Sequence, residues 1–287
     1  MIDRADLVAE SAVMAAVLEA SAPKPGNVSP AHPHGKTRYE HFLASSSALG
    51  PVVRKIATGD YSLGQGMFHG VNRSLTVQKG GNVHLGIMLL FGPISSAAGS
   101  ADSLDAASLR REIGDVMKAA TYEETVYVYN AIKHAEASGI PDKAMEESSL
   151  KEIIDRKLPL LDWMKRGADK SLVAGEYATD YEKSFEVTLP AIKSMLENGA
   201  DILTAIVHSY IVLLSRFPDT HIAGIYGEKT AVELRDFVKN KLAGGGNPEK
   251  LREIREFIEE RGYNPGASAD IVASALFIGL VSGEISV

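Results

Sequence analysis

Four short segments of this chain carry residue types that can do chemistry, and each stands where a loop meets a helix-forming stretch. In Ser21-Ala-Pro-Lys-Pro-Gly-Asn-Val28, two prolines flank Lys24 and restrict the backbone, while Gly26 permits unusual dihedrals. An ammonium held on a stiff turn beside Asn27 suits a phosphate, and the same residues also suit a plain helix-ending loop. The glycine-rich stretch from Gly64 to Gly86 contains Lys79-Gly80-Gly81-Asn82-Val83-His84-Leu85-Gly86 ahead of the apolar run Ile87 to Phe91. Glycines let backbone N–H groups approach an anion, and the following helix adds its positive end. Lys79, Gly80, Gly81 and Asn82 are therefore candidate phosphate contacts, with a flexible surface loop as the alternative. It is not a P-loop, because the lysine precedes the paired glycines and no Ser or Thr follows it in the required place.

Arg216-Phe-Pro-Asp-Thr-His-Ile222 places Asp219 and His221 directly after a long apolar stretch, where they can hold Mg²⁺ or move a proton. Asp219 also suits a turn after Pro218. Asn264-Pro-Gly-Ala-Ser-Ala-Asp270 opens the last helical stretch, with Ser268 and Asp270 as cap and first-turn acid and the backbone around Gly266 able to cradle an anion. Glu123 and Glu124 are an acidic pair that suits either a metal or the first turn of a helix. His32-Pro-His34 lacks the further ligands that a zinc site needs.

Helices must position these groups. Apolar residues recur at helical spacing in Leu7, Val8, Ala12, Ala15 and Leu18, then in Phe42, Leu49, Val52 and Ile56, then in Leu109, Ile113, Val116 and Ala120. Further helices are predicted over Tyr122 to Ala137, Leu150 to Met164, Lys183 to Leu196, Asp201 to Phe217, Ala231 to Leu242, Glu249 to Glu259 and Ser268 to Leu280. Strand-like alternation is almost absent. The expectation is an all-α fold, one large bundle of about ten helices forming a single domain over residues 1–287. Asp201 reads as an N-cap, and Thr230 with Glu233 has capping-box spacing. Asp201 to Phe217 is apolar on nearly every side and is expected to be the central helix, with His208 a core histidine. Trp163 needs no role beyond packing.

Composition bounds the function. With 287 residues, 45% hydrophobic and 23% charged, the chain can bury a sizeable core. The balance of 37 acidic against 30 basic side chains, a formal charge of -7 with no dense Lys/Arg cluster, argues against nucleic acid. Zero cysteines remove disulfides, thiol catalysis, iron–sulfur clusters and cysteine zinc sites. MIDRADLVAE carries charges where a signal peptide places its apolar region, and the most apolar stretch falls short of the ~20 residues that cross a bilayer. A cytoplasmic protein away from membranes is the expectation, and its apolar helices can complete a monomer or feed a homodimer interface.

Taken in order, the four segments resemble the triphosphoribosyl-dephospho-coenzyme-A synthase family. Its members share a PKPG turn, here Pro23 to Gly26, and a Lys-Gly loop opening an apolar helix, here Lys79 to Leu90. They also share an Asp-Thr after a long apolar helix, here Asp219-Thr220, and an Asn/Ser-Pro-Gly-x-Ser/Thr-Ala-Asp segment, here Asn264 to Asp270. Order and approximate spacing agree from Pro23 to Ile278. The wording of Gly80 to Gly86 and of Tyr122 to Ile132 looks more like the archaeal branch than the citrate-lyase-associated bacterial one.

The resemblance implies an all-helical transferase of coenzyme biosynthesis that moves a 5-triphosphoribosyl group from ATP to dephospho-coenzyme A and releases adenine. Such a reaction breaks the ribose C1–adenine N9 bond through an oxocarbenium-like transition state. It needs a neutralised triphosphate, a base near the attacking hydroxyl and a proton for the departing purine. By resemblance, Lys24 and Lys79 meet phosphate, and Gly26, Asn27, Gly80, Gly81, Asn82, Gly266, Ser268 and Asp270 line the nucleotide site. Asp219 with Glu123 or Glu124 holds Mg²⁺, and Asp219, Lys79 and Glu124 carry the catalytic roles. Two positions depart from the bacterial pattern. Thr76 stands where that pattern has Asn, and Ala223-Gly-Ile-Tyr-Gly227 lacks the basic residue expected after Asp-Thr, with Lys229 a candidate replacement. They keep two alternatives open: a related nucleotide-dependent ribosyl transfer in another coenzyme pathway, and a non-catalytic nucleotide-binding homologue.

Overall fold

The computed structural model describes residues 3–136 and 146–287. Its described residues form fifteen α-helices where about ten were expected. The first half holds α1 (Arg4–Ser21), α2 (Tyr39–Ala57), α3 (Leu63–Thr76), α4 (Leu85–Ser100), α5 (Ala106–Ala119) and α6 (Tyr122–Ala135). Next come α7 (Glu147–Asp155), α8 (Leu160–Arg166), α9 (Leu172–Ala178), a π-helical turn (Lys183–Thr188) and α10 (Leu189–Glu197). The last are α11 (Ile202–Arg216), α12 (Thr220–Tyr226), α13 (Glu228–Leu242), α14 (Pro248–Glu260) and α15 (Gly266–Val281). Among the described residues there is no β-strand; isolated bridges pair Ser29 with His32 and His34 with Thr37. No described helix is long and apolar enough to cross a membrane.

The excess over ten has local causes. The expected Leu150 to Met164 helix divides into α7 and α8 because Lys157 turns to φ 47° and Pro159 resets the chain at the N-cap of α8. The glycine-rich stretch is mostly helix, not loop. A Cβ on Gly64 would stand 2.6 Å from the Glu124 carbonyl oxygen, and side chains on Gly66 and Gly70 would overlap Ile56 and Met88, so these glycines let α3 pack closely on α6, α2 and α4. The predicted Tyr122 to Ala137 helix is seen through Ala135; Ala137 lies outside the described residues.

The buried axis is also not where the sequence placed it. Thirteen of sixteen residues in α15 and twelve of sixteen in α4 are buried, against seven of fifteen in α11, whose outer side carries the exposed His208. α4 and α15 pack face to face, with the Phe91 and Phe277 rings 4.7 Å apart. Pro93 has no N–H for the Leu89 carbonyl one turn back, and the buried Tyr177 hydroxyl donates to that oxygen instead, at 2.5 Å. Asp201 caps α11 by accepting from the Thr204 amide at 3.0 Å. Thr230 is not a cap: α13 starts after Gly227, and the Thr230 hydroxyl bonds the Tyr226 carbonyl at 2.9 Å.

Candidate active site

The C-terminal end of α1 and the first turns of α4, α12 and α15 meet around a cavity of about 800 Å³. All four sequence segments contribute to its lining: Asn27 and Val28 from the first, Asn82 and Gly86 from the second, His221 from the third, Gly266 and Asp270 from the fourth. Its apolar lining includes Ile132, Ile153, Leu158, Trp163 and Met164, and Arg166 and Lys170 also line it. Glu19 adds a carboxyl to the lining.

Lys24 does not line this cavity. It is 1% exposed, and its ammonium pairs with Glu19 Oε1 at 2.8 Å and donates to the Glu19 and Ala22 carbonyls. The PKPG turn is held from outside: Tyr210 of α11 donates to the Pro25 carbonyl at 3.1 Å, and Arg255 of α14 donates to the Pro23 carbonyl at 2.7 Å. Gly26 adopts φ 78°, and a Cβ there would overlap the Tyr263 carbonyl oxygen, so glycine is required for the turn to reach the loop before α15. That approach lets the Asn27 side-chain Nδ2 donate to Asn264 Oδ1 at 2.5 Å, joining the first segment to the fourth.

In the second segment the paired glycines are not among the residues lining the cavity. The Gly80 amide donates to Gln78 Oε1 at 2.5 Å, and the Gly80 and Gly81 carbonyls accept from Thr37 and Gln78 at 3.0 and 2.8 Å. Lys79 is exposed and lies outside the lining. Asn82 reaches the cavity and caps the start of α4 by accepting from the Leu85 amide at 3.0 Å. Behind it His84 is fully buried, and burial alone pulls its imidazole down to about 3, so the ring is neutral. Its Nδ1 lies 2.7 Å from the Ser45 hydroxyl.

Asp219 sits behind the wall as a clamp. Its Oδ1 accepts from the His221 and Ile222 amides at 2.9 and 3.0 Å, and its Oδ2 accepts from the Ser268 amide and hydroxyl, both at 2.7 Å. The carboxylate thus caps α12 and ties it to the first turn of α15. Burial raises its carboxyl above the ordinary aspartate value, against the pull of those donors and of His221. His221 itself faces the cavity, its Nδ1 2.8 Å from the Asn264 carbonyl oxygen. His34, also in the lining, is held below the ordinary histidine value, first by burial and then by His221.

Asp270 is placed differently. Its carboxyl lines the cavity, lies against Gly86, and makes no hydrogen bond or ion pair with any described residue. Burial, then the charges of Glu19 and Asp219, hold it well above the ordinary aspartate value.

Glu123, Glu124 and Asp219 do not form one metal site. Glu124 Oε2 accepts from the Ser62 hydroxyl at 3.0 Å and from the Gly64 amide, at the start of α3. Glu123 accepts from the Thr121 hydroxyl at 2.5 Å, and the Asp219 oxygens are taken as above. Among the described residues no group of three or more His, Asp and Glu is arranged to hold a metal. Of the two departures from the bacterial pattern, Thr76 lies outside the cavity lining, whereas the segment 223–227 supplies the uncharged Ile225 to it. Thr76 is exposed and bonds its own helix at the Asn72 carbonyl, and Lys229 is 91% exposed beside Glu233. Among the described residues, the Lys and Arg side chains lining the cavity are Arg166 and Lys170, which lie in no motif. Glu19 was legible in principle: it recurs at helical spacing on the buried Ala12–Ala15–Ala16 face, five residues before Lys24.

An all-α scaffold with an acid-bearing cavity built at helix starts defines a class of small-molecule enzyme. Residues 5–286 match the family described as CitG, ATP:dephospho-CoA triphosphoribosyl transferase, and the chain belongs to that family. It is 23% identical over 265 residues to the 2-(5''-triphosphoribosyl)-3'-dephosphocoenzyme-A synthase of Pectobacterium atrosepticum, an alignment covering 88% of this chain and 81% of that protein. A crystal structure assigned as a triphosphoribosyl-dephospho-CoA synthase of Archaeoglobus fulgidus superposes with a TM-score of 0.69 at 25% identity, over 84% of this chain and 99% of that one.

Proposed function

We propose that this enzyme transfers the 5-triphosphoribosyl group of ATP to dephospho-coenzyme A with release of adenine, and that the 800 Å³ cavity is where it does so. The observation that carries the reading is convergence: four segments spread from Asn27 to Asp270 supply residues to one cavity. A volume of that size suits a nucleotide-sized ligand.

Electrostatics orient the substrates. A triphosphate is repelled by Glu19 and attracted to Lys170 and Arg166, so the donor's phosphates run toward those cations and its base toward Asp270. His221 is the base for the attacking hydroxyl. The Asn264 carbonyl oxygen only accepts, so Nδ1 carries the ring proton and the Nε2 lone pair is the basic site. The apolar wall around Trp163 takes the less polar part of the acceptor.

Mass spectrometry of the purified protein with ATP, Mg²⁺ and dephospho-coenzyme A tests the proposal. A species with the mass of the triphosphoribosyl adduct should appear together with free adenine. Unchanged substrates despite saturable ATP binding would refute this acceptor.

A further inference from the structure

We propose that Asp270 is the group that hands a proton to the departing purine, an assignment that rests on the triphosphoribosyl-transfer reading above. Three acids stand close together here, and their surroundings divide their roles. Asp219 receives four donors, and Glu19 receives Lys24, whereas Asp270 has no partner among the described residues and faces the cavity. Room for its carboxyl exists because position 86 is glycine; a Cβ there would overlap Oδ2.

The charged groups around it favour a neutral acid. Glu19 faces it from α1 and Asp219 from the start of α12, while the buried Lys24 is fixed on Glu19. His221 stands on α12 beside Asp219, and Tyr210 of α11 is a buried phenol pushed well above its ordinary value. His84 before α4 is neutral, and α4 itself carries no titratable side chain. Glu176 of α9 and Lys183 of the π-helical turn pair with each other at 3.6 Å, further along α15 beside Ser274. Burial and the two acids therefore hold the Asp270 proton in place until a base accepts it.

In the step, the C1–N9 bond breaks and its electron pair goes to the purine, whose ring nitrogen takes the Asp270 proton. The acceptor oxygen bonds C1 and its hydroxyl proton goes to His221, and transfer of that proton through solvent to the Asp270 carboxylate restores both residues. Adenine leaves neutral and no other reagent is consumed.

The test compares two donors in wild type and Asp270→Asn: ATP, and 7-methyl-ATP, whose purine already bears the charge that protonation supplies. With ATP, adenine release should fall by about 10²–10⁴-fold, the usual contribution of a positioned acid. With 7-methyl-ATP, corrected for spontaneous depurination, the loss should stay below about 10-fold, with ATP affinity unchanged by calorimetry. Equal losses on both donors, or a matching loss of affinity, would overturn the donor role. Infrared spectra add a readout independent of turnover: at neutral pH the difference between wild type and Asp270→Asn should show the loss of one protonated-carboxyl band. Identical spectra would overturn the proposal whatever the kinetics. A band with no adenine release from wild type would instead overturn the transfer reading, and with it any donor role.

Discussion

Replacing Lys24 by Met separates two accounts of the PKPG turn, because a phosphate ligand and a buried ion pair fail in different ways. The ammonium is 1% exposed and the Glu19 residue 4%, with 2.8 Å between Nζ and Oε1. Removing one partner of such a pair strands the other charge and costs about 3–5 kcal/mol, whereas an exposed pair is worth about 1 kcal/mol or less. At about 2 °C per kcal/mol for a chain of this size, Lys24→Met should lower Tm by about 6–10 °C. Removing both charges relieves the stranded carboxylate, so Glu19→Gln/Lys24→Met should regain more than half of that loss. Lys24 lies outside the cavity lining, so ATP affinity should change little, whereas a lost charge-assisted phosphate contact would cost about 1.5–3 kcal/mol, or about 10–150-fold. Calorimetric unfolding and ATP titration of wild type and the two variants decide the matter. A Tm within about 2 °C of wild type with ATP bound 10-fold or more weakly would refute the buried-pair argument and return Lys24 to the phosphates.

Gly86→Ala should lower adenine release by about 10²-fold, the effect of about a 1 Å misplacement, because the new Cβ displaces the Asp270 carboxyl; an unchanged rate would show that its position is immaterial. Glu124→Gln weakens the acceptor at the start of α3 and should cost about 1 kcal/mol in chemical denaturation while leaving the Mg²⁺ dependence of turnover unaltered. An increased Mg²⁺ requirement would put Glu124 back at a metal. Asp270 also ties stability to pH. Its folded value is raised, so its contribution is fully present below the unfolded value of 3.8 and is lost as pH rises through the folded one. Asp270→Asn should therefore be more stable than wild type at neutral pH, by a margin that shrinks toward pH 4 in denaturant titrations; a margin independent of pH would exclude a raised carboxyl.

The helical class was legible because a 3.6-residue apolar period survives any tertiary arrangement. What period and residue type cannot carry is the identity of the neighbour. Glycine marks a loop or a close helix contact, and only Glu124, Ile56 and Met88 across from Gly64, Gly66 and Gly70 make α3 a helix in a stretch that reads as loop. The same ambiguity governs the acids. Asp219 and Asp270 both stand in motifs and are the same residue type, and the sequence assigned catalysis to the first. Their physical difference is the number of donors each meets, four against none, and those donors come from Ser268, 49 positions away, and from the way α12 starts. A motif therefore locates the loops that meet at a site but not the atoms that face it, since building the wall and facing the ligand call for the same small polar residues. Pairing resolves it: an acid whose acceptor sites are filled by the protein is a structural clamp, and an acid left bare in a cavity is the one positioned for substrate.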